Sequence, residues 1–129
     1  EAGSLLVGVG AVEPRYVRAI KDLLEAHGPY MLIAPGVVLL HARPDEGVRK
    51  LGMSLVTAEN SVCFGHPTLD PVRIAFCLAA VDSISHRRAL AQLADVVGSA
   101  ERVSAMAQAG SARQLFSLLC SSIEESTPE

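Results

Sequence analysis

The hydrophobic residues of this chain fall partly into short continuous or alternating runs, which predict β-strands. Between residues 72 and 81, one face would carry Val72, Ile74, Phe76, Leu78 and Ala80, and the other Ala75, Cys77, Ala79 and Val81. Because both sets are apolar, we expect a central strand that is buried on both faces. Shorter strands are predicted at residues 30–34, 37–40, 51–58 and 61–64, with turn residues between them.

Elsewhere the apolar positions recur at helical spacing. Pro14 suits the first turn of a helix that runs to His27 and ends at Gly28 and Pro29. Its apolar stripe consists of Tyr16, Ile20, Leu23, Leu24 and His27. Further helices are predicted after the capping residues 82–85, over residues 99–109 and after residue 111, and residues 4–9 are expected to end another. A sheet covered on both faces follows.

Length and composition indicate one domain and exclude several classes of partner. The 129 residues, of which 50% are hydrophobic, can bury a single core, so we expect one domain over residues 1–129. A net charge of −3 and 4% aromatic residues provide neither a basic surface nor stacking side chains for nucleic acid. No apolar run has the ~20 residues that a membrane-spanning helix needs, and the first residues do not resemble a signal peptide. The expected location is therefore the cytoplasm.

The three cysteines, Cys63, Cys77 and Cys120, are odd in number and form no CxxC or Cys/His cluster. This spacing argues against a disulfide framework and against a zinc site. We expect all three to be small core residues. No metal ligands are evident, and no cofactor is expected.

His41 is the first candidate for chemistry, because it directly follows the uncharged apolar run at residues 37–40. The end of a buried strand emerges at the edge of a sheet, where a side chain is rigidly placed and still reachable. An imidazole there can act as a nucleophile near neutral pH, since much of it is then uncharged. Arg43 supplies a nearby fixed cation for an anionic group. The alternative is a strand-end histidine that only hydrogen-bonds the neighbouring loop.

The other three histidines carry weaker signals. His27 is expected to point inward, either to help hold a phosphate or to bond a backbone carbonyl at the end of its helix. His86 falls in the first turn of a helix and faces the sheet, where free N–H groups and the helix dipole favour an anion. It could instead cap its own helix. His66, between Gly65 and Pro67, is most simply an exposed loop residue.

Four blocks of the sequence resemble a known protein family in their order and spacing. They are VEPRYVRAI from residue 12, HGPYMLIAPGVVLLHARPDEGV from residue 27, DPV from residue 70 and AAVDSISH from residue 79. Together they are similar to the enzyme IIA component of the sugar phosphotransferase system, in the mannitol/fructose-type superfamily and nearest its ascorbate-type branch. The resemblance covers residues 7–97. It implies an α/β (α+β) fold, a three-layer α/β/α sandwich with a mixed central sheet.

The resemblance also implies roles for the two histidines, since relatives carry active-site histidines at the places of His41 and His86. His41 would accept a phosphoryl group from a phosphohistidine of the carrier protein HPr and pass it to a cysteine of a IIB component. His86 would stabilise the transferred group, with Arg43 and His27 as phosphate-binding candidates. Any membrane association would be indirect, through the transporter. The resemblance implies no metal and no cofactor.

The chain departs from the family pattern around His41. Relatives usually have proline in place of Leu40 and alanine in place of Val38, and mannitol-type relatives have an active-site arginine with no counterpart in register here. They also usually carry an N-terminal strand and helix, so a strand and part of the first helix are expected ahead of residue 1. If the backbone of relatives is kept, no buried acceptor needs the N–H of Leu40, and Leu40→Pro should be tolerated.

Two other functions stay open. One is a regulatory IIA paralogue whose phosphorylation state controls a bound partner, and it differs from a transport component in that no IIB protein would discharge His41. The other is a degenerate binding module, suggested by Leu40, in which His41 is never phosphorylated.

Overall fold

A computed structural model describes residues 2–28 and 30–126. Its helices are α1 (Ala2–Gly8), α2 (Pro14–His27), α3 (Ser83–Val97), α4 (Ala100–Ala107) and α5 (Ala112–Ser126), and a short 3-10 helix spans Pro44–Glu46. Its strands are β1 (Leu32–Ala34), β2 (Val37–Leu40), β3 (Gly52–Val62) and β4 (Val72–Ala79). Pro29, expected at the end of the second helix, lies outside the described residues.

The four strands form one mixed sheet in the order β1-β2-β4-β3. Strands β2 and β4 are parallel, with Val37 opposite Ile74 and Leu40 opposite Cys77. The pairs β1–β2 and β3–β4 are antiparallel. Strand β4 therefore has a neighbour on each side, and the prediction that it is a central strand is confirmed.

Helices cover both faces of this sheet and create two hydrophobic cores. The core under α1 and α2 includes Leu6, Tyr16, Ile20, Val38, Cys77 and Ala79. The core under α3, α4 and α5 includes Val37, Leu39, Ile74, Phe76, Leu78, Leu93 and Met106. Neighbouring residues of β2 and β4 enter opposite cores because successive side chains of a strand point to opposite faces. The three-layer α/β/α architecture is confirmed.

Helix α2 begins at Pro14, whose missing N–H is no loss in a first turn, and is followed by Gly28 with a φ of +73°. Its predicted stripe is fully buried at Tyr16, half-buried at Leu23 and exposed at His27. The prediction that His27 points inward is therefore wrong. Burial falls along the stripe because the core ends before the last turn of the helix.

Three predictions from the hydrophobic pattern need correction. The two strands predicted at residues 51–58 and 61–64 are one strand, β3, which spans Gly52–Val62 and has a register shift between Thr57 and Val62. Cys63 is exposed, unlike the buried Cys77, because it directly follows this edge strand. Strand β4 ends at Ala79, and Val81 is 46% exposed because the chain is already leaving the sheet.

Leu40 lies within β2, which changes the expectation for its backbone N–H. At the start of the parallel pair, the N–H of Ile74 donates to the carbonyl of Gly36 at 3.1 Å. Ladder hydrogen bonds recur at two-residue steps, so the register directs the N–H of Leu40 to the carbonyl of Phe76. The expectation that no buried acceptor needs this N–H is therefore wrong.

Candidate functional site

The parallel pair β2 and β4 brings His41 and His86 to the same end of the sheet. His41 directly follows β2, and β4 leads through residues 80–82 into α3, whose first turn carries His86. The carboxyl ends of neighbouring parallel strands emerge at one edge, so the two segments start side by side. The ring centroids of the two histidines are 5.2 Å apart, and the ring planes are tilted by 47°.

The ring of His41 is oriented by its own strand. Its Nδ1 atom lies 3.0 Å from the carbonyl oxygen of Leu39. A carbonyl oxygen can only accept, so Nδ1 carries the proton and the lone pair of the neutral ring is on Nε2. The side chain is half-buried, which leaves the ring accessible. Nε2 is therefore the nitrogen that can act as a nucleophile.

His86 lies in the first turn of α3 but does not cap that helix. Asp82 is the N-cap residue, and its carboxylate accepts a hydrogen bond from the N–H of Ser85 at 2.7 Å. This bond holds the pKa of Asp82 below its usual value. It also occupies one of the N–H groups that the sequence offered to an anion, so the helix N-terminus is less open than expected.

The electrostatics of the pair favour neutral imidazole at His86. Partial burial, which disfavours the charged ring, is the main cause that lowers the pKa of His86 from its usual value, and the proximity of His41 is the second. Because the ordinary pKa of histidine is already ~6.5, His86 is mostly uncharged at pH 7 in the free protein.

A cleft of about 370 Å³ opens beside the two rings. It is lined by Leu23, Tyr30, His41, Ala42, Arg43, Pro44, Asp82, Ser83 and His86. The side chain of Arg43 is 81% exposed, and its Nε lies 3.6 Å from a carboxylate oxygen of Asp45. Exposed ion pairs of this kind hold a side chain only weakly. Arg43 therefore lies at the rim with freedom to turn towards the cleft.

The residue after His41 is held by a buried hydroxyl. The hydroxyl of Tyr16 accepts a hydrogen bond from the N–H of Ala42 at 2.9 Å and donates to the carbonyl of Leu78 at 2.6 Å. The hydropathy pattern placed Tyr16 on an apolar stripe and gave its hydroxyl no role. A local pattern cannot reveal the role of this hydroxyl, because its two hydrogen-bond partners are 26 and 62 residues away in sequence.

Helix α2 and its N-cap residue also hold the loop after His41 at residues 45–47. The N–H of Glu13 donates to the carbonyl of Gly47 at 2.8 Å, and the guanidinium of Arg15 donates to the carbonyl of Asp45 at 3.2 Å. Gly47 has a φ of +121°, and a Cβ there would lie 3.1 Å from Cγ of Arg15. Glycine is thus required where the loop approaches α2.

The remaining histidines stay outside the cleft. His27 contacts the ring of Tyr30 with centroids 5.9 Å apart, and Tyr30 in turn lies 6.4 Å from the ring of His41. Tyr30 is a cleft residue that the sequence patterns did not single out: they placed it at the start of a strand, whereas it lies in the turn before β1. His66, expected in an exposed loop, is half-buried, and its Nδ1 accepts two backbone N–H groups of its own loop.

Within residues 2–28 and 30–126, no group of three or more His, Cys, Asp or Glu side chains is placed to hold a metal ion. Among the helices of that same part of the chain, none combines the length and apolar character that crossing a membrane requires.

Comparison with known proteins gives a match over most of the chain. Residues 1–122 match the family described as the phosphoenolpyruvate-dependent sugar phosphotransferase system, EIIA 2. The ascorbate-specific PTS system EIIA component of Escherichia coli (strain K12) is 51% identical over 83 residues, which are 64% of this chain and 54% of that protein. The chain thus spans about half the length of the curated relatives it matches.

Solved structures share the fold. The mannitol-specific cryptic phosphotransferase enzyme IIA CmtB from Escherichia coli has a TM-score of 0.83 at 34% identity, over 92% of this chain and 80% of that one. A putative PTS IIA (PtxA) from Streptococcus mutans has a TM-score of 0.84 at 29% identity, over 94% of this chain and 77% of that one.

Proposed function

Because the chain belongs to the EIIA 2 family of the phosphoenolpyruvate-dependent sugar phosphotransferase system, we propose that it is a IIA phosphoryl carrier of sugar transport. In this role His41 accepts a phosphoryl group from the phosphohistidine of HPr and passes it to a cysteine of a IIB component. The protein is then one component of a phosphotransferase, with a phosphohistidine as its intermediate. The observation that carries the proposal is the His41 ring, with a free Nε2, beside a second imidazole in an open cleft.

In phosphoryl transfer, the protein contributes mainly by positioning the reacting groups and by stabilising negative charge. Nε2 of His41 attacks the phosphorus atom while the N–P bond of the donor breaks, and the later transfer to a cysteine breaks the new N–P bond as an S–P bond forms. The transition state is loose and spreads negative charge over the equatorial oxygens. Donors placed around those oxygens therefore supply the main stabilisation.

We assign that stabilisation first to His86. A phosphoryl group on His41 would place an anion beside the second ring and favour its protonated form, opposing the burial that mainly lowers the pKa of His86 in the free protein and replacing the second cause, the influence of the His41 ring. Arg43 is the second candidate, because its exposed guanidinium lies at the rim of the same cleft. His27 is not included, because it is exposed and does not line the cleft.

The partner that we expect downstream is the IIB component of an ascorbate-type system. The support is the 51% identity over 83 residues to a protein named as ascorbate-specific. A cytoplasmic location and only indirect association with a membrane stay predictions, which fractionation of cells with and without the transporter would check.

The decisive experiment is to incubate the purified protein with phosphoenolpyruvate, enzyme I and HPr, and then to measure its intact mass. We expect one acid-labile phosphoryl group, absent in His41→Ala and retained in the matched control His27→Ala, whose histidine is exposed outside the cleft. Label that persists in His41→Ala, or that maps to His86, would contradict the assignment of the nucleophile.

The same assay separates the two other functions. If the phosphorylated protein is not discharged by any IIB component, a regulatory paralogue is the better description. If the folded wild-type protein takes no label at all, the degenerate binding module suggested by Leu40 replaces the carrier. Discharge by an ascorbate-type IIB, and not by a mannitol-type IIB, is the result that supports the full proposal.

A further inference from the structure

Tyr16 carries the one hydroxyl on the buried stripe of α2, and its side chain is fully buried at 0% exposure. Its ring belongs to the core under α1 and α2, a role that phenylalanine could fill equally well. The hydroxyl is different, because a buried polar group is costly unless it is hydrogen-bonded. Here it both accepts and donates, so the position is built around the hydroxyl as well as the ring.

The two partners of this hydroxyl lie on the two segments that form the site. Ala42 follows His41 directly, and Leu78 lies near the end of β4, the strand that leads into the helix carrying His86. No atom of Tyr16 reaches the cleft surface. The hydroxyl therefore links the backbone of one histidine segment to the backbone of the other without touching either ring.

From this link, and resting on the proposed carrier function, we propose that Tyr16 is a positioning residue that sets the separation between the imidazoles of His41 and His86. The strand β2 alone does not fix that separation beyond Leu40, because the chain leaves the sheet at His41. The bond from Ala42 holds the first residue after the ring, and the bond to Leu78 fixes where it is held.

The Tyr16 hydroxyl stays protonated, so it can donate its hydrogen bond to the carbonyl of Leu78 at all times. Burial raises the pKa of Tyr16 to about 12, so the hydroxyl keeps its proton and remains a donor at any pH at which the carrier would work. Helix α2 also holds the far side of the loop through Glu13 and Arg15. Tyr16 is the contact nearest to His41 in this set, and it is the one that joins the loop to β4.

The kinetic test compares Tyr16→Phe with Val103→Ala, a core change on α4, where no site residue lies. At saturating phospho-HPr, we expect the rate of phosphoryl acceptance by Tyr16→Phe to fall about 10- to 100-fold, as expected for a small misplacement of a reacting group. KM for phospho-HPr should not change, because Tyr16 is not on the surface. Val103→Ala should change neither value. Equal losses in the two variants, or no loss in Tyr16→Phe, would overturn the inference.

A second test does not depend on phosphorylation. The titration midpoint of His86 is measured by NMR in four proteins: wild type, His41→Gln, Tyr16→Phe and the double variant. Together they form a double-mutant cycle. Asp82 and Arg43, which line the same cleft, are common to all four proteins. We expect the effect of His41→Gln on the midpoint of His86 to be smaller in the Tyr16→Phe background, and an equal effect in both would overturn the inference. If the cycle behaves as expected but wild type takes no phosphate, the carrier function fails and the positioning role stands.

Hydrogen exchange in the wild-type protein covers the case in which Tyr16→Phe does not fold. The N–H of Ala42 should be protected as strongly as amides of β4, because the buried Tyr16 hydroxyl is its acceptor. Exchange of Ala42 as fast as that of Asp45, an exposed residue of the short 3-10 helix, would show that the link does not hold.

Discussion

Replacing Leu40 by proline tests whether β2 continues as a hydrogen-bonded strand up to His41. The family resemblance of residues 27–48 implies proline at this place, so the substitution installs the residue that the resemblance leads us to expect. In this chain the register directs the Leu40 N–H to the carbonyl of Phe76 on β4, whose side chain is fully buried. Proline has no N–H and would leave that carbonyl without its donor.

The change in the free energy of unfolding caused by Leu40→Pro is the balance of a lost hydrogen bond and a more restricted unfolded chain. Leaving a buried carbonyl unsatisfied costs ~1–3 kcal/mol, whereas restricting the unfolded chain with proline returns ~0.4–1 kcal/mol. The half-buried leucine side chain loses some packing as well. We therefore expect a net destabilisation of roughly 1–2 kcal/mol, and for a domain of this size a melting temperature lower by about 3–10 °C.

Thermal melts and HPr-dependent labelling should be measured on Leu40→Pro and on the control Leu40→Ala, which loses the side chain but keeps the N–H. We expect both variants to be destabilised, but only Leu40→Pro to lose phosphoryl acceptance, because only it shifts the backbone that carries His41. A Leu40→Pro protein as stable and as readily labelled as wild type would show that the Phe76 carbonyl does not depend on Leu40. The ladder assigned to β2 would then be wrong.

Three further predictions concern the helix that carries His86. His86→Ala should still accept phosphate, but more slowly or with a shorter-lived product in a labelling time course, and complete inactivity of the folded variant would contradict a purely stabilising role. Asp82→Asn keeps a good N-cap but removes a negative charge from the cleft, so its melting temperature should barely change while the phosphorylated form lasts longer. Because folding lowers the pKa of His86, protonation of His86 favours the unfolded chain. The contribution of neutral His86 to stability is therefore complete above pH ~6.5 and is lost as pH falls through the pKa of His86 in the folded protein. Melts of His86→Gln across pH 5 to 8 should therefore lack this part of the wild-type decline, and parallel curves would refute it.

The elements of the fold could be predicted largely from local patterns. Strand β4 was found because both of its faces are apolar, and α2 was found because Pro14 and Gly28 mark its ends. The pattern failed where burial depends on the extent of a neighbouring layer. His27 lies on the correct stripe but beyond the core, and Cys63 follows a strand that forms the edge of the sheet.

The contacts that shape the candidate site are long-range and polar, and no local pattern encodes them. The hydroxyl of Tyr16 meets Leu78 across 62 positions, and its residue type fits an apolar stripe equally well without that bond. The tautomer of His41 depends on the carbonyl of Leu39, which is close in sequence but needs the strand geometry to become a partner. Sequence patterns could therefore nominate His41 and His86 but not the groups that orient them.

The direction of a single strand determines whether the two histidines can work together. Hydropathy identifies β2 and β4 as strands but does not say whether they are parallel. Had β4 run antiparallel to β2, its C-terminal end would have emerged at the opposite edge, and the start of α3 would lie about one strand length away. For a strand of 8 residues that is ~26 Å, against the 5.2 Å observed between the rings. The parallel pairing brings the two histidine segments to one edge of the sheet. The backbone hydrogen bond of Leu40 and the hydrogen bonds of the Tyr16 hydroxyl then determine the final positions of these segments. For that reason, Leu40→Pro and Tyr16→Phe should disturb phosphoryl acceptance more than substitutions at exposed residues outside the cleft, such as His27.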